Sequence, residues 1–283
     1  MIKVENDKAA VYFGDNLAET VGWLERTPKR WQQNASVSER NRMDWDLGAG
    51  WHGALKLAKE GWKEGTTRLS NDLAANFGRS DHKEPPWRYD VAGHLPDVPR
   101  FLAGAPDPMM RHGQNKGRTP VIHIVVNISA SCGISATEMA NYGLAITALI
   151  DELEASGKRV ELDVGATYSR LGRKRGCFGW KVKMASEPID LADVAFSIAH
   201  PAAFRRFTFA MAERTPRDME DWAYGMPGVV TQDLAAEFGA EAAFLLDGVG
   251  HNPGACRTPA GAMTLARGQL EAAMAKRLAE EQA

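Results

Sequence analysis

Residues 119–128, TPVIHIVVNI, are a continuous apolar run, mostly β-branched. That is the pattern of a strand buried on both faces. The period then changes. Across 136–156, ATEMANYGLAITALIDELEAS, the positions Met139, Tyr142, Gly143, Ile146, Leu149, Ile150 and Leu153 recur three or four apart and predict a helix. Ser135 predicts its N-cap, with Glu138 completing a capping box and Gly157 ending the helix. KRVELDVGATYSR and GCFGWKVKMAS read as two strands around the turn LGRKRG, an antiparallel hairpin. DVAFSIAHP reads as a short apolar strand, and AAFRRFTFAMAE as a helix with Phe204, Phe207 and Met211 inward. After a loop over 216–228, TQDLAAEFG predicts a short helix, AAFLLDGVG a strand, and 260–281 a terminal helix. A strand followed by a crossover helix calls for a sheet covered on both sides. The pattern predicts an α/β fold with a three-layer, Rossmann-like, mostly parallel sheet and the hairpin's antiparallel strand at an edge.

The first half is patterned differently. Residues 31–44 are polar without a period. Trp51, Leu55, Ala58 and Trp62 share one helical face, and Leu69, Leu73 and Phe77 continue it past Gly65. These spacings predict helices near 51–63 and 64–78. Residues 80–120 hold seven prolines, which exclude regular helix or central strand over most of that stretch. It reads as a long extended arm pinned at Trp87, Tyr89, Val91, Phe101 and Leu102. A loop of such length inside a compact domain is either wrapped around something or functional. The organisation predicted is a helical, Trp-rich region over 1–78, a Pro/Gly-rich arm over 79–118 and an α/β domain over 119–283, without internal repeats.

Composition narrows the function classes. The 283 residues, 44% hydrophobic, suffice for one large core or two smaller ones. A net charge of -2, from 34 basic and 36 acidic residues, demands no polyanionic partner. No apolar run is long enough to span a membrane, so no membrane partner is expected. The start MIKVENDKAAVYFGDN has no hydrophobic signal core. Cys132, Cys177 and Cys256 are odd in number and widely spaced, which fits a reducing, cytoplasmic setting better than a disulfide framework.

Candidate chemistry gathers at strand ends, where open α/β sheets bind ligands. Asn127, Ser129 and Ser131 close the first strand of the α/β region. Their oxygens suit either a hard cation or a structural turn that ties the loop to the helix start. Cys132 stands near a helix N-terminus, which lowers thiol pKa values. With His200 and Asp247 at later strand ends it offers a Cys-His-Asp set, or else it is packing. Asp247-Gly248-Val249-Gly250-His251 is either a ligand loop or a plain glycine turn, and it lacks the dinucleotide spacing. Arg170, Arg173, Lys174 and Arg175 crowd a hairpin tip, and Arg111, Lys116 and Arg118 crowd the arm. Such loops clamp nucleic acid or an acidic partner, or are simply solvated. The Trp-rich helix WHGALKLAKEGWKEG is either core or an interaction face.

The strand followed by NISAS, Gly133 and a helix resembles the first motif of von Willebrand factor A domains, Asp-x-Ser-x-Ser. The order of elements over 119–281 is similar too. The resemblance implies a divalent-ion site, magnesium in kind, built on Asn127, Ser129, Ser131 and Asp247, although by element count the last place falls to His200-Pro201. Here the lead aspartate is replaced by the neutral Asn127, which weakens such a site. WHGALKLAKEGWKEG and YDVAGHLPDVPRFLAGAPDPMM also resemble an uncharacterised family of tailed phages and prophages, which would make the cytoplasm that of the host cell. The expectation is a protein-binding adaptor or assembly protein with a degenerate von Willebrand A-like site and no cofactor, meeting its partner through the top of the sheet. The alternatives are a metal- or Cys132-dependent hydrolase and a virion or nucleic-acid-associated structural protein.

Overall fold

The computed structural model describes residues 1–7, 9–30, 43–76, 87–92, 95–112, 121–169, 174–216, 224–249 and 254–281. Strands β1 (Ile2–Glu5) and β2 (Ala9–Gly14) open the chain, followed by helices α1 (Leu17–Arg26), α2 (Met43–Asp46), α3 (Gly50–Glu60) and α4 (Lys63–Asn76). The arm carries β3 (Trp87–Asp90), β4 (Leu95–Pro96), helix α5 (Val98–Leu102) and β5 (Met109–His112). Then come β6 (Val121–Asn127), α6 (Ala136–Ala155), β7 (Arg159–Tyr168) and β8 (Arg175–Lys183). Helix α7 (Leu191–Val194) runs into π-helical turns at Ala195–Ala199 and Ala203–Thr208, which lead to α8 (Phe209–Ala212). Helix α9 (Gln232–Ala236), β9 (Phe244–Leu246) and α10 (Pro259–Glu281) finish the chain.

The chain is mixed α/β around a mostly parallel six-stranded sheet of order β1-β2-β8-β7-β6-β9. β6 pairs in parallel with both β7 and β9, and β7 pairs antiparallel with β8. The hairpin was expected to leave β8 at an edge. Instead β2 adds to it in parallel, with Val11 opposite Cys177, and β1 pairs antiparallel with β2 outside it. Residues 1–78 therefore supply two strands as well as helices. The run AAVYFG is buried throughout, as in a central strand, but six residues are too few to reveal a period.

The second correction concerns DVAFSIAHP. It is helical, not a strand. The Asp190 carboxylate accepts from the Ala192 amide at 2.8 Å and starts the helix. Its residues 194–199 are all buried, so no polar face marks the period, and a short buried helix reads like a buried strand. His200 and Pro201 consequently lie at a break between two π-helical turns.

Two hydrophobic clusters cover the two faces. The larger packs β6, β7 and β8 against α6, the π-helical segments, α1 and α3. Trp51 is buried here, 5.8 Å from Phe207 between ring centroids, so the Trp-rich helix is core at that position. Buried polar tips are satisfied where sheet meets helix: Trp180 Nε1 donates to Ser197 Oγ at 2.9 Å, and the Tyr168 and Thr208 hydroxyls lie 2.9 Å apart. The smaller cluster joins Val11, Phe13, Val125 and Cys177 to Leu234, Ala235 and Phe238 around α9, with Phe13 and Phe238 stacked at 4.1 Å. No helix among the described residues is long and apolar enough to cross a membrane.

Helix α6 meets the π-helical turn at Gly143. A Cβ there would fall 2.6 Å from the Ala199 Cβ and 2.9 Å from its Cα. Gly143→Val is expected to cost about 1–3 kcal/mol in urea unfolding. Gly157→Asn, at φ +85° with open space around it, is expected to cost less than about 1 kcal/mol.

Candidate functional site

The corner between β6 and α6 is closed by its own side chains. Asn127 and Ser129 are 0% exposed. Asn127 Nδ2 donates to the Gly228 carbonyl at 2.7 Å, while its Oδ1 accepts from the Ser129 amide at 3.0 Å and hydroxyl at 2.6 Å. Ser129 Oγ also lies 3.1 Å from the Gly228 oxygen. The Gly228 amide bonds Thr167 O at 2.9 Å, which fastens this loop to the end of β7. Gly248 presses from the other side, where a Cβ would come within 1.8 Å of Asn127 O. Every polar atom of the two side chains is engaged within the fold. The corner therefore does not fit a magnesium ion, because its oxygens would have to abandon these bonds to ligate one. It also explains the asparagine: an aspartate would aim an acceptor at the Gly228 carbonyl.

Beyond Ser129 the loop is held by Arg205 of the second π-helical turn, whose neighbour Arg206 is anchored to α2. Arg205 Nη2 donates to Ser131 O at 3.1 Å and to Ile134 O at 2.8 Å, and its Nη1 to Trp45 O at 2.8 Å. Its guanidinium lies 4.6 Å from the Trp45 ring centroid. Arg206 binds Asp46 through Nε at 2.7 Å and Nη2 at 2.5 Å, with both side chains buried. The Asp46 carboxylate also accepts from the Gly48 and Gly50 amides at 3.0 and 3.1 Å. The capping box is present: the Ser135 hydroxyl accepts from Glu138 N at 3.2 Å, and Ser135 N donates to Glu138 Oε2 at 3.1 Å. Burial works to raise the Glu138 pKa. Hydrogen bonds from Ser135 and Gly254 outweigh it and hold the carboxyl below its ordinary value.

The other sequence candidates are dispersed. Cys132 is exposed on the loop. His200 is 2% exposed; its Nδ1 accepts from the Ala202 amide at 3.1 Å, and its ring packs with Trp62 and Phe196. Asp247 does stand beside the corner at the end of β9, with its carbonyl accepting from Gln269 Nε2. Of the basic loops, Lys174 Nζ reaches Asn6 O at 3.2 Å and Asp7 at 3.6 Å, and Arg175 donates to Thr231 at 2.9 Å. Arg170, Arg173, Lys116 and Arg118, and the Arg111 side chain, lie outside the described residues. Sequence reasoning missed Arg205 and Arg206, whose signal was a charged pair inside the apolar run AAFRRFTF. It also missed His123, whose Nε2 is 2.8 Å from the buried carboxylate of Asp163 on the α9 face of the sheet.

The arm presents a contrasting surface. β3, β5 and β4 form an antiparallel three-stranded sheet. Polar contacts hold it: Arg100 lies 4.1 Å over the Tyr89 ring and bonds Asp107 at 2.7 Å, and Asp97 caps α5 through the Arg100 amide at 3.0 Å. Apolar side chains face solvent instead, with Val91 74%, Phe101 66% and Leu102 78% exposed, and Leu95 and Val98 about half exposed.

Asn127→Asp is expected to destabilise the protein by about 2–4 kcal/mol in urea unfolding, with no recovery on adding magnesium. A magnesium-dependent recovery would restore the ion-site reading of the corner.

Comparison with curated proteins and with solved structures gives no match. Residues 3–267 match a family model described as a domain of unknown function, DUF7192. The match spans most of the chain, and the protein belongs to that family.

Proposed function

We propose that this is a protein-binding adaptor or assembly protein whose partner docks on the arm, residues 87–112. The expected surface at the top of the sheet is withdrawn, because Asn127, Ser129 and His200 are buried. The observation that carries the new surface is the exposed apolar set of Val91, just after β3, and Val98, Phe101 and Leu102 of α5, beside a small sheet held by polar contacts. Several large apolar side chains exposed on one short stretch suit a protein contact, whereas single exposed residues call for no explanation. Within residues 87–112, Arg88, Arg100 and Arg111 stand against Asp90, Asp97 and Asp107, so the charges of this stretch balance and an apolar partner face suits it better than a polyanion. In the same reading the sheet domain is a von Willebrand A-like scaffold whose ion site has become a packed corner. The strand–helix–strand unit with an antiparallel β8 supports that lineage, as does the NISAS turn.

Phe101→Ser with Leu102→Ser tests the surface. Both side chains are exposed, so folding stability should change by less than about 0.5 kcal/mol. A partner captured by the wild-type chain should be lost with this variant and kept with Leu278→Ser, an exposed apolar control outside the arm. Equal capture by both variants would contradict the arm as the docking surface.

A further inference from the structure

An open cleft of about 700 Å³ lies between α3, the start of α4 and the break at His200. Leu47 and Leu57 line it, together with Trp62 and His200, and Lys63 and Glu64 stand at its rim. Leu47 has φ 55°, the left-handed region that side chains rarely adopt. The Asp46 carboxylate enforces that turn by accepting from the amides of Gly48 and Gly50, so this wall is held rigidly.

Residues that carry hydrogen-bond donors without acceptors line the cleft. The His200 ring is buried, and Nδ1 accepts from the Ala202 amide, which fixes the proton on Nε2. Among the described residues, Nε2 makes no hydrogen bond, so Nε2–H is the donor this ring still offers. Burial lowers the His200 pKa to about 4, against a smaller raising influence of Asp46. The ring is therefore a neutral donor at physiological pH. Trp62 stands perpendicular to it, with ring centroids 4.6 Å apart.

Helix α4 begins beside it at Lys63, and neither Gly61 nor Trp62 has a side-chain oxygen to cap it. Its first intrahelical bond is Thr66 N to Trp62 O at 2.8 Å, which leaves the Lys63 and Glu64 amides without partners among the described residues. The Lys63 ammonium forms no ion pair among them. Glu64 is placed favourably for the helix dipole in the first turn, and Glu60 faces Lys56 at 3.9 Å.

We propose that this cleft binds a small aromatic carboxylate. Its ring would pack on Trp62 and the leucines, and its carboxylate would accept from His200 Nε2–H and the first α4 amides beside Lys63. This assignment is independent of the arm. Phenylacetate titrated into the full chain, followed by tryptophan fluorescence and saturation-transfer NMR, should bind with a Kd in the millimolar range. Phenylacetamide, which keeps the ring and loses the charge, should bind about tenfold more weakly, and so should phenylacetate to the exposed Lys63→Glu variant. His200→Phe should lose binding, and His200→Gln, which restores a donor, should recover part of it, with thermal melts confirming folding. Equal binding of acid and amide, wild-type binding by Lys63→Glu, or no saturation by either probe would overturn the proposal. Inorganic phosphate binding as tightly as phenylacetate would overturn the apolar half of the site.

Discussion

The contact on which the rest depends is the buried ion pair between Arg206 and Asp46. Removing two charges from water costs several kcal/mol per ion, and attraction repays it only when geometry is good and the remaining polar atoms are satisfied. Here the guanidinium engages the carboxylate through two nitrogens, and the same carboxylate takes the Gly48 and Gly50 amides. The pair fastens α2 to the π-helical turn, and the turn packs on the sheet. Its neighbour Arg205 extends the anchor to the Ser131 and Ile134 carbonyls, and so to the loop that starts α6. Two adjacent arginines thus join the N-terminal helices, the sheet's helical cover and the β6–α6 corner.

This anchoring separates closed regions from open ones. With the loop held by Arg205 and Gly228 and Gly248 closing the sides, the corner at Asn127 is a packed junction. The loop after Asp46 is forced through a left-handed turn, and a cleft opens between it and α4. Among its described residues the arm shows no such buried ion pair. Its stacked Arg100 and capping Asp97 organise a small sheet while its apolar residues stay exposed.

Much of this fold was legible in the sequence because it is local. The β-branched run of β6, the period of α6 and its Ser135–Glu138 box each signal within one segment, as does the hairpin of β7 and β8. What escaped depends on distant partners. Ala9–Gly14 become a strand because β8 offers a free edge more than 160 residues later in the chain, and nothing near them says so. DVAFSIAHP hid its helical period because every side of it is buried. Asn127 was legible as a polar strand end, but its role rests on a carbonyl 101 residues away. Arg205 and Arg206 lie inside an apolar run, and the acceptors that make their burial tolerable belong to α2 and the β6–α6 loop.

A double-mutant cycle on Arg206 and Asp46 tests this account most directly. Arg206→Met and Asp46→Leu, singly and together, would be compared with wild type by urea unfolding. Each single change strands a buried charge and should cost about 3–5 kcal/mol. The double variant should cost less than their sum by at least about 2 kcal/mol. Single losses below about 1 kcal/mol that simply add would contradict the claim that this pair holds the structure together.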